Sequence, residues 1–333
     1  MHPPRPTLEM VAARAGVSRA TVSRVINGSP SVAAHLRETV MRAVDALGYV
    51  PNPAARSLVT QRTDSYALVV PEPTNRVFSD DPFFSLIIRG VSHELEAADK
   101  QLVLMLANSA WSHRRVFAVA GHVDGVMFAS MHGADPLPAT LARMGVPVVC
   151  NERPLVRHAA LPYVGVDNVG GAETATRHLV ATGRTRIASI AGPQDMVGGI
   201  DRLTGYRRAL RGSASRSIVA VGDFTRESGA AAMGQLLDGD PRLDAVFVAS
   251  DLMADGALRA LRHAGRRVPD DVAVVGFDDV ELARYTEPPL TTVRQPVFDI
   301  GREMVLLMLR QPAGRANGPP VILPTELVVR DST

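Results

Sequence analysis

Residues 8–32 read LEMVAARAGVSRATVSRVINGSPSV. Thr7 precedes them as a helix cap, Glu9 lies in the first turn, and Val11, Ala12 and Ala15 recur at helical spacing. Gly16 permits a sharp left-handed turn, and Ser18 caps a second helix running to about Ile26. Val22, Val25 and Ile26 share one face of that helix, while Arg19, Ala20, Ser23 and Arg24 share the other. The first face is a core and the second has no partner within the stretch. A third helix from about Ala33 to Leu47 adds Leu36, Val40, Val44 and Leu47 and stops at Gly48.

Two short helices joined by a glycine turn form a helix-turn-helix, whose second helix enters the major groove of DNA. Arg19 and Arg24 are long enough to fork onto guanine, and small Ala20 lets the helix approach the base edges. Thr7, Ser18, Thr21, Asn27 and Ser31 are placed for phosphates. Charge agrees: residues 1–62 hold eight arginines against three carboxylates, a net of +5, whereas the rest holds 28 basic and 31 acidic side chains, a net of −3. A basic head on a mildly acidic body fits a polyanion partner for the head.

Chemistry elsewhere is mostly excluded. No signal-peptide h-region and no long uncharged apolar run is present, so the expected compartment is the cytoplasm, at the nucleoid, with no membrane partner. The single Cys150 builds neither a disulfide nor a thiolate metal site and reads as a core residue. His93, His113, His122, His132 and His158 lie scattered without metal spacing. No glycine-rich phosphate loop joins a strand to a helix. Neither metal nor cofactor nor catalysis is expected.

From Ser65 onward, apolar runs such as YALVV, GVMFAS, RIASIAG and DVAVVGFD alternate with amphipathic segments. The alternation predicts an α/β body of parallel sheets in two successive series, each a doubly wound lobe. Ligands of such sheets bind at the carboxyl ends of the strands. The organisation expected is a head over 1–50, a linker over 51–62 and a body over 63–333. Lobe 1 covers about 63–162 plus 293–322, and lobe 2 about 163–292 plus 323–333. The chain ends at ELVVRDST without a heptad extension, which gives a coiled-coil tetramer nothing to build on.

The run TLEMVAARAGVSRATVSRVINGSPSV, followed by LGYVPNPAARSL at 47–58, resembles the head and hinge of the lac repressor (LacI/GalR) family. Asn52 and Pro53 also suit the start of a short helix. The resemblance implies that hinge helices of two subunits pair over the minor groove of a pseudo-palindromic operator. Ala55 would face its partner, Arg56 flank it and Leu58 wedge into the central base step; Leu58 packing against the body is the alternative. Asn52 joins the phosphate contacts. A homodimer and a regulator, in most relatives a repressor of a catabolic operon, follow from the same likeness.

Looser blocks, YVGVDNVGGAETATRHL, ASDLMADGAL, VPDDVAVVGFDD and PPLTTVRQP, resemble the family's periplasmic-binding-protein-like body, whose lobes close on a small effector, a sugar or related metabolite. By position, Arg202 matches the effector clamp, Asp278 the acid that accepts its hydroxyl, and Phe224 an aromatic wall. Asn151 follows a strand at the cleft rim, and Ser250 and Asp251 end another, Asp251 reading equally as a helix cap. Phe83 and Phe84 open the first body helix, where one of two neighbours must face away from any cleft. Where many sugar binders carry small hydroxyl residues before the arginine, this chain has Gly198, Gly199 and Ile200.

Overall fold

The computed structural model describes residues 6–50, 62–106, 110–155, 161–211, 218–310 and 319–333, in two compact units meeting between Thr63 and Asp64. In the first, α1 (Leu8–Ala15), α2 (Arg19–Ile26) and α3 (Ala34–Leu47) surround a core of Val11, Ala12, Val22, Val25, Val40 and Ala43. The Thr7 hydroxyl accepts from Met10 N, and the Ser18 hydroxyl accepts from Thr21 N at 3.1 Å. Gly16 takes φ 67°, a conformation that would strain a residue with a Cβ. Ala43 is buried in α3, whereas the expected Leu36, Val44 and Leu47 are only partly covered.

The second unit holds two six-stranded sheets. The first contains β1 (Ser65–Val70), β2 (Gln101–Leu106), β3 (Gly125–Phe128), β4 (Val148–Asn151), β5 (Tyr163–Val166) and β11 (Val321–Leu323), in the order β11-β5-β4-β3-β1-β2. The second contains β6 (Ile187–Ala191), β7 (Ile218–Val221), β8 (Ala245–Val248), β9 (Ala273–Asp278), β10 (Thr291–Arg294) and β12 (Glu326–Val328), in the order β12-β10-β9-β8-β6-β7. Every pairing is parallel except β10 with β12.

Two lobe boundaries need correction. β5, expected to open lobe 2, pairs with β4 and β11 and so belongs to the first sheet. β10 spans the expected return to lobe 1 at residue 293, yet all of it pairs in the second sheet. Strand partners are chosen by the sheet edge each strand completes, which local periodicity does not record.

Helices cover the sheets: α4 (Thr74–Val77), α5 (Pro82–Ala97), α6 (Ala110–Ala120), α7 (Leu137–Arg143) and α12 (Val297–Leu309) accompany the first, and α8 (Asn168–Ala181), α9 (Val197–Ala209), α10 (Arg226–Gly239) and α11 (Asp251–His263) the second. The α10–α11 contact depends on Gly229 and Gly256. A Cβ on either would sit about 2 Å from a backbone oxygen of the facing helix. With each sheet buried on both faces, strand residues such as Leu68, Val69, Val246 and Phe247 are fully covered. Side chains that reach a ligand therefore project from strand ends, the loops that follow and the first turns of the helices beside them.

Candidate functional site: an exposed helix and a two-lobed cleft

On the head, α2 presents Arg19, Ala20 and Arg24 to solvent, with Ser18 and Asn27 exposed at its ends and Thr21 half-buried. Arg19 Nε lies 3.0 Å from Glu9 Oε1, a pair so exposed that it contributes little stability. Thr21 shares a hydrogen bond with Ser18 at 2.9 Å, Asn27 donates to Ser23 at 3.3 Å, and Ser31 shares one with Ser29 at 2.8 Å. Thr7 is exposed at the start of α1. Asn52, Ala55, Arg56 and Leu58 lie outside the described residues.

In the body, a cleft holding about 980 Å³ of unoccupied space, its open mouth included, lies at the carboxyl ends of both sets of strands. Phe83, Phe84, Asn151, Arg202, Phe224, Ser250 and Asp278 all line it. Phe83 and Phe84 meet edge to face, 5.4 Å apart, with Phe84 in the first-lobe core. Ser250 also caps α11, accepting from Met253 N at 3.2 Å, while Asn151 donates to the Val164 carbonyl at 3.3 Å.

Asp251 requires correction, for it is not among the lining residues. Fully buried beneath the cleft, it accepts from the Thr292 hydroxyl at 2.5 Å and from Val280 N at 3.0 Å. Burial, with the charge of Asp278 nearby, raises its carboxyl well above the usual range. It ties α11 to the strand ends, and the helix cap is Ser250 instead.

Arg202 is the centre of the cleft. Its Nε donates to Asn168 Oδ1 at 2.8 Å, and Nη1 donates to the Ala249 carbonyl at 2.7 Å and to Asp278 Oδ1 at 3.2 Å. Its Cζ stands 3.8 Å over the Phe277 ring. Those contacts leave Nη2 as the guanidinium edge available to a ligand. Asn168 donates to Glu152 Oε1 at 3.0 Å, and Gln295 donates to Asp278 Oδ1 at 2.6 Å, so one cation serves a polar chain from Glu152 to Gln295. Burial pushes both the Glu152 and Asp278 carboxyls up to about 7, against the lowering effect of Arg202.

Ser130, Glu152, Phe224 and Asp278 line this cleft with positive φ, at 58°, 66°, 69° and 122°. Each ends or closely follows a strand, and such backbone strain gathers where surrounding structure holds side chains for a task. Sequence reasoning missed Glu152, Gln295, Asn168 and Arg153. The run VPVVCNER at 146–153 shows Glu152 and Arg153 directly after Asn151, but the strand-end argument pointed only to Asn151.

Opposite lobes also meet across the cleft. His132, after β3, reaches Glu72 through Nε2 at 3.0 Å and Asp195, after β6, through Nδ1 at 2.9 Å. The Glu72 hydrogen bond is the main cause of its raised pKa, opposed by burial and aided by Asp195. Arg153 of the first lobe forks onto Asp201 of α9, with Nη2 to Oδ1 at 2.7 Å. Arg76 Nη2 donates to the Asp223 carbonyl at 2.9 Å. Among the described residues no group of three or more His, Cys, Asp or Glu could hold a metal, and no helix is long and apolar enough to cross a membrane.

A basic-faced helix-turn-helix and a two-lobed cleft with a buried arginine on its floor define a ligand-responsive DNA-binding regulator. The comparisons agree. Residues 7–52 match the model of bacterial regulatory proteins of the lacI family, and residues 176–333 match a periplasmic binding protein-like domain. The HTH-type transcriptional regulator CelR of Thermobifida fusca is 52% identical over 335 residues, 98% of each chain. A solved CelR–cellobiose complex is 50% identical, with a TM-score of 0.77 over 99% of this chain and 100% of that one. The lac repressor dimer bound to operator and the anti-inducer ONPF is 28% identical, with a TM-score of 0.84 over 99% of both chains. The chain belongs to the lacI family of DNA-binding transcriptional regulators.

Proposed function

We propose that this regulator is a cytoplasmic homodimeric repressor of a catabolic operon, released from a pseudo-palindromic operator by a β-linked glucose disaccharide bound between its lobes. The observation that carries the reading is the arginine–carboxylate pair Arg202–Asp278 on the cleft floor, with Phe83 and Phe224 among the walls. Sugar hydroxyls both donate and accept, and a cleft that offers guanidinium N–H, carboxylate oxygen and aromatic faces together suits them. The likeness to a protein solved with cellobiose supports the choice of sugar.

In this reading Arg19, Ala20 and Arg24 meet base edges, and Thr7, Ser18, Thr21, Asn27, Ser31 and Asn52 meet phosphates. Ala55, Arg56 and Leu58 enter the minor groove. The effector acts only through its different affinity for the operator-competent and released conformations. The test is selection of a binding site from random DNA, followed by fluorescence anisotropy on that site during cellobiose titration. Cellobiose is expected to raise the melting temperature of the protein and to weaken its grip on the operator. Cellobiose that does neither overturns the proposal.

A further inference from the structure

Among the described residues, ion pairs cross from the first lobe to the second at three places, and their chemistry differs. Arg153 pairs with Asp201, and Arg226 Nη1 of α10 lies 3.8 Å from Asp80 Oδ2, just before α5. Arginine keeps its charge at any physiological pH. The third joins His132 to Asp195, and imidazole is the side chain whose charge ordinarily changes between pH 5 and 8. His132 is held at both ring nitrogens, Nε2 3.0 Å from Glu72 Oε1 of its own lobe and Nδ1 2.9 Å from Asp195 Oδ2 of the other. Beside it, Gly133 N donates to the Asp195 carbonyl at 2.7 Å.

An ionised carboxylate only accepts, so both contacts are satisfied only by the imidazolium with its two N–H donors. Either neutral tautomer turns a lone pair toward one carboxylate. Glu72 cannot withdraw: it is 2% exposed, accepts from the Ser130 hydroxyl at 2.7 Å on Oε1 and has Arg76 Nη1 3.5 Å from Oε2. Asp195 can, being 54% exposed and carried by the other lobe. The charged groups around the ring are thus Glu72 after β1, with Arg76 of α4 behind it, and Asp195 after β6. Asp135, in the loop of His132 itself, turns instead to Leu137 N at 2.8 Å. The Glu72 hydrogen bond first, then Asp195, raise the His132 pKa against burial, so the bridge is complete below that raised value and is lost as pH rises through it.

We propose that His132 is a proton-operated latch between the lobes: its imidazolium ties Glu72 of the first lobe to Asp195 of the second, its neutral form releases Asp195, and the proton thereby acts as a second effector on the cleft. A ligand that touches both lobes is held best where they are tied together, so protonation and ligand binding favour each other, and by the same factor. The latch stands on geometry alone, whereas its coupling to a sugar rests on the effector reading above.

The experiment compares full-length wild type, Asp195→Asn and His132→Gln. Histidine ring signals are titrated by NMR, with His132→Gln assigning the one of interest. The expected midpoint lies above the ordinary 6.5 in wild type and falls by about half a unit or more in Asp195→Asn, which keeps the shape and loses the charge. Cellobiose Kd is then measured by calorimetry at pH 6 and pH 8.5. Glu152 and Asp278 change charge in the same range, so the latch is read from the difference between wild type and His132→Gln. The expected ratio of Kd at pH 8.5 to Kd at pH 6 is about three- to tenfold larger in wild type, the size of one charge-assisted, half-exposed hydrogen bond. Should His132→Gln not fold, Asp195→Asn, altered at an exposed site, carries the same comparison. Equal midpoints in wild type and Asp195→Asn overturn the latch, and equal Kd ratios overturn its role as an effector site. Wild type that binds no cellobiose at either pH overturns the effector reading, and the latch is then decided by the midpoints.

Discussion

Replacing Arg202 with lysine separates the clamp's work from the fold's. Arginine meets three protein acceptors with Nε and Nη1 and keeps Nη2 for the cleft. A lysine ammonium preserves the charge beside Asp278 and can reach one or two of those acceptors, but one nitrogen cannot occupy the places of three. Asn168 Oδ1 then loses its donor, at a cost of about 1–3 kcal/mol of stability. The ligand loses its charged donor as well, about 1.5–3 kcal/mol of binding, or roughly ten- to hundredfold in affinity. Alanine is the poorer probe, because stranding the buried Asp278 carboxylate costs about 3–5 kcal/mol and confuses binding with folding. The assay is anisotropy on labelled operator with increasing cellobiose. Arg202→Lys is expected to bind operator as wild type does and to need roughly ten- to hundredfold more cellobiose for half-release. Half-release at the wild-type concentration would refute the clamp, and loss of operator binding without cellobiose would refute the separation of head from body.

Two other outcomes are expected. Arg24→Ala and Arg19→Ala each weaken operator binding by about 1–3 kcal/mol and random-DNA binding far less, measured by anisotropy at fixed salt; equal losses on both DNAs would reduce them to phosphate contacts. Glu152 holds its proton up to about 7 when folded against an ordinary 4.5, so the native state binds the extra proton and stability falls as pH rises between those values. Glu152→Gln, whose amide oxygen can still accept from Asn168, removes that loss. It is expected to be more stable than wild type at pH 8, by at most about 3 kcal/mol, and similar near pH 4.5, in urea unfolding of the unliganded protein; a pH-independent difference would refute the assignment.

The head was legible because its signals are local. Thr7, Gly16, Ser18 and Gly48 punctuate helices within a few residues of where they act, and the periodicity of Val11, Val22, Val25 and Val40 marks the core. The body's alternation was equally readable, as were the strand ends that carry Asn151, Phe224, Ser250 and Asp278. Partnerships across long separations were not. Arg202 meets Asp278 across 76 residues and Asn168 across 34, and neither distance leaves a periodic trace. Asp251 and Asp278 each stand at a strand end with the same chemistry, and only packing turns one toward Thr292 and the other toward the cleft. α12 escaped the reading because its surface is apolar on most sides, which suits a helix wedged between α5 and the first sheet.

The strand order also bears on how the chain is made. β11 completes the first sheet beside β5, and β12 completes the second beside β10, so both lobes wait for residues near the C-terminus. Ser332 is fully buried, donating to the Val274 carbonyl at 2.6 Å and accepting from Thr291 N at 2.8 Å. On the ribosome the head, whose contacts are all local, can fold and meet DNA-like polyanions while most of the body is still unsynthesised. The cleft comes later, when the last strands emerge and close both sheets. A nascent chain thus completes its DNA-binding head before it completes the cleft between its lobes.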